Sequence, residues 1–194
     1  MMRRVCVYAG STLGSDPTYV DAAKALAGLL AERGIGLVYG GSKIGLMGVL
    51  ADTALAAGGE VIGVMPQALV DREIGHQGLT ELRIVDSMHD RKALMADLSD
   101  AFVAVPGGIG TLEELIEVYT WSQLGIHSKA CGVLNVRGYY DALAAFLDHA
   151  VEEGFLRPQQ RAVLIVAAAP AELLDRLAAS EPPPVRKWLV LDQT

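Results

Sequence analysis

Two kinds of hydrophobic run alternate along the chain. Short, continuous apolar stretches occur at Val5–Tyr8, Gly36–Tyr39, Val61–Met65, Leu82–Val85, Ala101–Val105, Ala130–Val136 and Val163–Val166. Most lack polar alternation, which is the pattern of strands buried on both faces. Between them, apolar residues recur at helical spacing. Asp16-Pro17 supplies an N-cap and an N1 proline for a first helix, and Gly34 ends it. Further helices are predicted over Leu46–Ala57, Met88–Leu98, Leu112–Leu124, Tyr139–Glu153 and Ala171–Ala179. Alternating strands and helices predict an α/β fold, a single doubly wound domain with a mainly parallel sheet of about seven strands flanked by helices. The domain is expected over residues 1–180. "SEPPPVRKW" (180–188) marks its end and the start of a tail over 181–194.

In such a sheet, ligands bind beyond the carboxyl ends of the strands. Three of those ends carry glycine: "YAGSTLGSD" (8–16), "YGGSKIGLMG" (39–48) and "VPGGIGTLEE" (105–114). A fourth loop, "PQALVDREIGHQGL" (66–79), is long for a compact domain. Gly107, Gly108 and Gly110 leave backbone N–H groups uncovered where a helix starts, which suits an anion. A bare strand-to-helix turn explains one such loop; three at one sheet edge favour a phosphate-bearing ligand. "GGSKIG" does not have the G-x-x-x-x-G-K-[ST] order of a Walker loop. The first loop is Gly10-x-x-x-Gly14 and the second strand ends in Tyr39 without an acid, so a dinucleotide fingerprint is also missing. A mononucleotide or sugar phosphate fits better than NAD.

Thr111-Leu112-Glu113-Glu114 reads as a capping box, with Thr111 at N-cap and Glu114 at N3. Leu112, Leu115, Ile116, Tyr119 and Gln123 share one face, assigned to the sheet. Glu114, Glu117, Val118 and Trp121 lie opposite, a combination that predicts cover by another surface. In "DSMHDRKALMADLSD" (86–100), Met88, Leu94, Met95 and Leu98 form a stripe with Arg91 at its middle and Lys92 at its edge. A guanidinium aimed inward is costly unless paired. Arg91 either snorkels into a structural ion pair or faces a site holding carboxylate and phosphate.

The chain has 194 residues, 52% of them hydrophobic, and a net charge of −7. This is enough for one full core. The charge argues against a polyanion partner, because nucleic-acid binding needs a basic face, while leaving room for a local basic site for one small phosphate. Cys6 and Cys131 lie far apart in strand-like runs, as core thiols in a reducing compartment do. "MMRRVCVYAG" is too short in its apolar part for a signal peptide, and no run approaches the ~18 residues of a membrane span. A cytoplasmic soluble protein is expected. His76, His89 and His127 have no metal-site spacing. Asp21, Lys24, Glu32 and Arg33 read as solvated charges of the first helix.

"PGGIGTLEE" resembles the P-G-G-x-G-T-x-x-E signature of the LONELY GUY (LOG) family of cytokinin riboside 5′-monophosphate phosphoribohydrolases. "MHDRK" is similar to that family's M-H-x-R-K, and "YGGSKIGLMG" to its Y-G-G-G-x-x-G-L-M-G, with Ser42 in place of the third glycine. "VYAGS" and "LVDREIGHQGL" extend the likeness, which spans roughly residues 4–180. The resemblance implies a Rossmann-like homodimer, without metal or redox cofactor. The resemblance also implies cleavage of the N-glycosidic bond of a nucleoside 5′-monophosphate to free base and ribose 5-phosphate. It implies catalytic positions at Arg91 and Glu114. Substrate contacts are implied at Glu73, Lys92, Gly108, Ile109, Gly110, Thr111, Leu112, Glu113 and Thr120. The older label of lysine decarboxylase finds no support in a chain with no evident pyridoxal-phosphate lysine. A non-catalytic nucleotide or molybdenum-cofactor carrier of the same fold is the alternative, because glycine loops would serve it equally. The sequence leaves the base open: plain adenine or an N6-prenylated one.

Overall fold

The computed structural model describes residues 2–72 and 75–180. Seven strands are formed: β1 (Arg4–Tyr8), β2 (Gly36–Tyr39), β3 (Val61–Pro66), β4 (Glu81–Val85), β5 (Ala101–Ala104), β6 (Ala130–Leu134) and β7 (Leu164–Ala167). They make one sheet in the order β4-β3-β2-β1-β5-β6-β7, with every neighbouring pair parallel. The helices are α1 (Pro17–Glu32), α2 (Gly45–Ala56), α3 (Gln67–Val70), α4 (Met88–Asp97), α5 (Ile109–Leu124), α6 (Asp141–Glu152), α7 (Pro158–Arg161) and α8 (Pro170–Ala179). This is the doubly wound parallel α/β architecture that the alternating runs predict.

Successive strand residues are buried on opposite faces. Val5, Val7, Leu37, Tyr39 and Val103 pack against α1, α2 and α8. Cys6, Tyr8, Val38, Val64 and Phe102 pack against α4, α5 and α6. A strand with no polar face is therefore the physical requirement, and continuous apolar runs meet it. β4, at the sheet edge, is only half-buried, which its charged Glu81 and Arg83 permit.

Strand order reverses between β1 and β5, where Tyr8 pairs with Ala104. The loops after these two strands leave side by side, and the Gly10 N–H donates to the Pro106 carbonyl at 3.4 Å. α2 docks on the same place: the Leu46 N–H donates to the Gly10 carbonyl at 3.0 Å. Gly45 has φ 59°, and a Cβ there would lie 2.2 Å from the Ser11 carbonyl carbon. The three glycine loops thus meet at the switch point, where open α/β sheets leave a crevice.

Several element ends move from their expected places. The run ending at Val136 stops as a strand at Leu134, and Val136–Gly138 turns into a 3-10 segment. Helix α6 starts at Asp141 rather than Tyr139, because Tyr139 and Tyr140 spend their side chains on the loop after β5. α3 and α7 are single turns that periodicity does not reveal. Ser42 fits without strain: it forms an isolated bridge with Gly75, and its hydroxyl accepts from the Ile44 N–H at 3.3 Å. The tail expected over 181–194 lies outside the described residues.

α1 begins as expected. Asp16 caps it, accepting from the Thr18 N–H at 2.9 Å, and pairs with Arg137 at 3.0 Å. Asp16→Ala removes this cap and should lower the Tm in thermal unfolding by about 2–4 °C.

Candidate active site

α5 starts on Gly108, not on Thr111. Gly108 is the N-cap, with φ −90°, and no side chain caps the helix. The expected capping box does not form. The helix begins one turn early, on Gly108, which places Thr111 inside the first turn with its hydroxyl under Gly107. A Cβ on Gly107 would lie 2.2 Å from the Thr111 Oγ1. The first turn therefore presents unpaired backbone N–H groups, with the positive end of the helix dipole behind them. Intrahelical bonding begins only where the Leu112 N–H reaches the Gly108 carbonyl at 3.1 Å.

Freed from capping, Glu114 pairs with Arg91 of α4. The Arg91 Nη1 lies 3.0 Å from the Glu114 Oε1, with the two side chains 10% and 12% exposed. Arg91 Nε also donates to the Val64 carbonyl at 3.1 Å. Burial holds the Glu114 carboxyl above its ordinary value of 4.5, and Arg91 pulls it back only in part. Beside this pair, Lys92 Nζ reaches Glu113 at 2.5 Å and Glu117 at 3.0 Å. Burial works against the Lys92 charge, but the two carboxylates outweigh it and leave the pKa raised, so the ammonium stays protonated.

The sheet-facing stripe of α5 differs from the expected one. Leu115, Val118 and Tyr119 are buried, whereas Leu112, Ile116 and Gln123 are only partly so. The early start and the pull of Arg91 and Lys92 rotate the glutamates toward α4. The cover expected over Glu114 and Glu117 comes from α4 of the same chain.

Arg91, Gly108, Ile109, Gly110, Thr111, Glu113 and Glu114 line a cleft of about 290 Å³ at the switch point. Ala9, Ser11, Met47 and Met88 complete the wall. Met88 stood in the apolar stripe around Arg91, whereas Ala9, Ser11 and Met47 had no individual mark in the sequence beyond their loops and helix starts. Lys92 and Leu112 are not among the lining residues; Lys92 stands behind Glu113. Thr120 is exposed on α5 and its hydroxyl donates to the Ile116 carbonyl at 2.7 Å, away from the cleft lining. Glu73 lies outside the described residues. Of the histidines weighed as a metal set, His76 bonds Asp52 at 2.9 Å and His127 bonds the Val118 carbonyl at 2.9 Å.

The glycines divide by role. A Cβ on Gly40 would sit 1.8 Å from the Arg91 Nη2, so the second loop is bare where the guanidinium passes over it. Gly107 is bare because Thr111 and the Gly10 N–H crowd it. A Cβ on Gly108 or Gly110 would meet nothing within 4 Å, and neither residue has a positive φ. Among the described residues nothing requires glycine at 108 and 110. The space they leave faces the cleft, in front of uncovered N–H groups.

A family model described as "Possible lysine decarboxylase" matches residues 47–177. The chain is 52% identical over 182 residues to "Probable cytokinin riboside 5'-monophosphate phosphoribohydrolase LOGL5" of Oryza sativa subsp. japonica, covering 94% of this chain and 74% of that one. It is 51% identical over 175 residues to "Cytokinin riboside 5'-monophosphate phosphoribohydrolase LOG1" of Arabidopsis thaliana, covering 90% and 82%. Among solved structures, the molybdenum cofactor carrier protein of Chlamydomonas reinhardtii superposes with a TM-score of 0.68 at 20% identity, over 93% of this chain and 100% of that one. The molybdenum cofactor binding protein of Rippkaea orientalis gives 0.69 at 19% identity, over 92% and 97%. At such identities the likeness is one of fold.

Gly40→Ala tests the Arg91 arrangement. Its methyl displaces a guanidinium end, not backbone, so the fold should survive with a Tm drop of a few degrees. Catalytic turnover should fall by more than about tenfold.

Proposed function

The chain belongs to the LONELY GUY family of cytokinin riboside 5′-monophosphate phosphoribohydrolases, and we propose that it hydrolyses the N-glycosidic bond of adenosine 5′-monophosphates, N6-modified ones included. The products are the free base and ribose 5-phosphate. One observation carries this reading: two glycines with no steric reason of their own open an uncapped helix start onto a cleft that also holds a buried arginine–carboxylate pair. Phosphate fits the N–H groups; a sugar that gains positive charge fits the carboxylate.

The chemistry follows from the placement. The 5′-phosphate binds the N–H groups of Gly108, Ile109, Gly110 and Thr111, where the dipole favours an anion. That anchors the ribose with C1′ toward Glu114. As the C1′–N bond breaks, C1′ becomes oxocarbenium-like. The Glu114 carboxylate stabilises it and takes the proton of the attacking water, whose oxygen forms the new bond to C1′. The base leaves with the bonding electron pair and takes up a proton from solvent, and Glu114 releases the proton it took from water to solvent, so the protons balance. Arg91 keeps Glu114 ionised and in place, and its guanidinium, itself lining the cleft, balances charge on the phosphate or departing base. Glu113, held by Lys92, is placed to accept from a ribose hydroxyl. Met47 and Met88 give the cleft an apolar wall suited to a base.

Among the described residues no lysine lines the cleft, so none of them offers the Schiff-base partner of a pyridoxal-phosphate decarboxylase there. The carrier reading rests on likeness of fold alone and is the weaker one. The protein is proposed to act in the cytoplasm, as its two free buried thiols suit. A homodimer is also proposed: Ile109, Leu124 and Ile126 leave exposed apolar surface along α5 and just beyond its end.

Incubation with AMP and with N6-isopentenyl-AMP, following free base and ribose 5-phosphate, tests the reaction. Wild type should release base, and Glu114→Gln should lose at least about a hundredfold in kcat; binding of either nucleotide without turnover would favour the carrier. Activity requires the ionised carboxylate, so the acid limb of the pH–rate profile should fall above 4.5, as the direction of the Glu114 shift requires. Gly110→Ala should stabilise α5 by about 0.5–1 kcal/mol and yet weaken nucleotide binding, because its methyl enters the phosphate space. A combined rise in Tm and KM is the expected signature.

A further inference from the structure

The connection between β6 and α6 carries features that the reaction above does not use. Within it, Arg137 is held in the left-handed region, φ 53°, the one such non-glycine among the described residues. Several contacts fix the turn. Arg137 pairs with Asp16 at 3.0 Å. The Asn135 Oδ1 accepts from the Tyr140 N–H at 2.7 Å, and the Asn135 Nδ2 donates to Asp141 at 2.7 Å. The outcome is that two consecutive tyrosine hydroxyls reach the loop after β5. Tyr140 donates to the Val105 carbonyl at 2.8 Å and Tyr139 to the Gly107 carbonyl at 2.5 Å. The Tyr139 ring is held edge-on by Tyr19 and Tyr140, at 5.8 and 5.1 Å between centroids.

The two hydroxyls have different consequences. In a trans peptide the N–H of one residue points opposite to the carbonyl of the residue before it, and the described residues contain no cis peptide. Val105 is followed by Pro106, which has no N–H, so the Tyr140 bond anchors a strand end and nothing else. Gly107 is followed by the N–H of Gly108, the N-cap of α5 and a wall of the cleft. The peptide between them is flanked by two glycines, which leaves it free to flip unless something holds it.

We infer that Tyr139 is a positioning residue for phosphate recognition: by holding the Gly107 carbonyl it keeps the Gly108 N–H turned into the cleft, toward the 5′-phosphate of the nucleotide. The hydrogen bond also polarises the amide and strengthens it as a donor. This rests on the phosphate site proposed above. Tyr139 itself touches no substrate.

Tyr139→Phe removes the hydroxyl and keeps the ring. Base release from AMP and from adenosine is measured for wild type, Tyr139→Phe and Tyr140→Phe, with inorganic phosphate as competitive inhibitor. Tyr139→Phe should raise the KM for AMP and the Ki for phosphate together, by about five- to tenfold. Its kcat on AMP should stay within about twofold, and adenosine cleavage should be unchanged. Tyr140→Phe should lower the Tm yet keep the wild-type preference for AMP and the wild-type phosphate Ki. Where adenosine turnover is too slow to measure, the phosphate Ki decides. A Tyr139→Phe protein with wild-type phosphate inhibition, or a Tyr140→Phe protein with the same rise, overturns the role of Tyr139 alone. A wild type that neither prefers AMP nor is inhibited by phosphate removes the phosphate site, and this inference with it.

Discussion

A buried arginine facing a buried glutamate governs the rest of the site. Two charges taken out of water cost several kcal/mol each unless they meet each other in good geometry, and removing one partner alone costs about 3–5 kcal/mol. The 3.0 Å contact between Arg91 and Glu114 meets that demand and dictates much around it. The loop after β2 must be bare at Gly40 to let the guanidinium through. The Val64 carbonyl, near the end of β3, must be open to Arg91 Nε. α5 must start early enough to turn Glu114 toward α4 and not toward its own N-terminus. A hydrophobic pair would stabilise the fold at least as well. Both ions line the cleft, where the proposed reaction uses them.

Much of this was legible in the sequence, for definite physical reasons. Strands buried on both faces leave an unmistakable apolar run, so the parallel sheet and its glycine-rich carboxyl ends could be read directly. Arg91 stood out because a guanidinium in an apolar stripe requires a partner. The partner could not be read with certainty, since Glu114 had an equally good local role as N3 of a capping box. Local hydrogen bonding at a helix end is worth about 1 kcal/mol, and a buried charge outweighs it. The same competition moved the sheet-facing stripe of α5 onto Val118. Lys92 was likewise readable as a cation near the site, but its engagement by Glu113 and Glu117 depends on how α4 and α5 lie together, which no spacing along one helix encodes.

The glycines show what a motif conceals. P-G-G-x-G reads as one signal, yet its members serve separate ends. Gly107 is bare because Thr111 and the Gly10 N–H leave it no room, whereas Gly108 and Gly110 have all the room they need and leave it unused. Only coordinates separate a glycine required by its neighbours from one required by something absent. Tyr139 and Tyr140 extend the point. They read as the first turn of a helix, and the structure uses them instead to hold the outward carbonyls of the same loop.

A phosphate at the start of α5 with C1′ against Glu114 is the arrangement on which everything else depends, and a crystal structure of Glu114→Gln with AMP observes it directly. The phosphate oxygens should lie about 2.7–3.2 Å from the N–H groups of Gly108, Gly110 and Thr111, with C1′ facing the side chain at 114. A nucleotide whose phosphate sits away from that helix start, or whose C1′ is out of reach of residue 114, would contradict it.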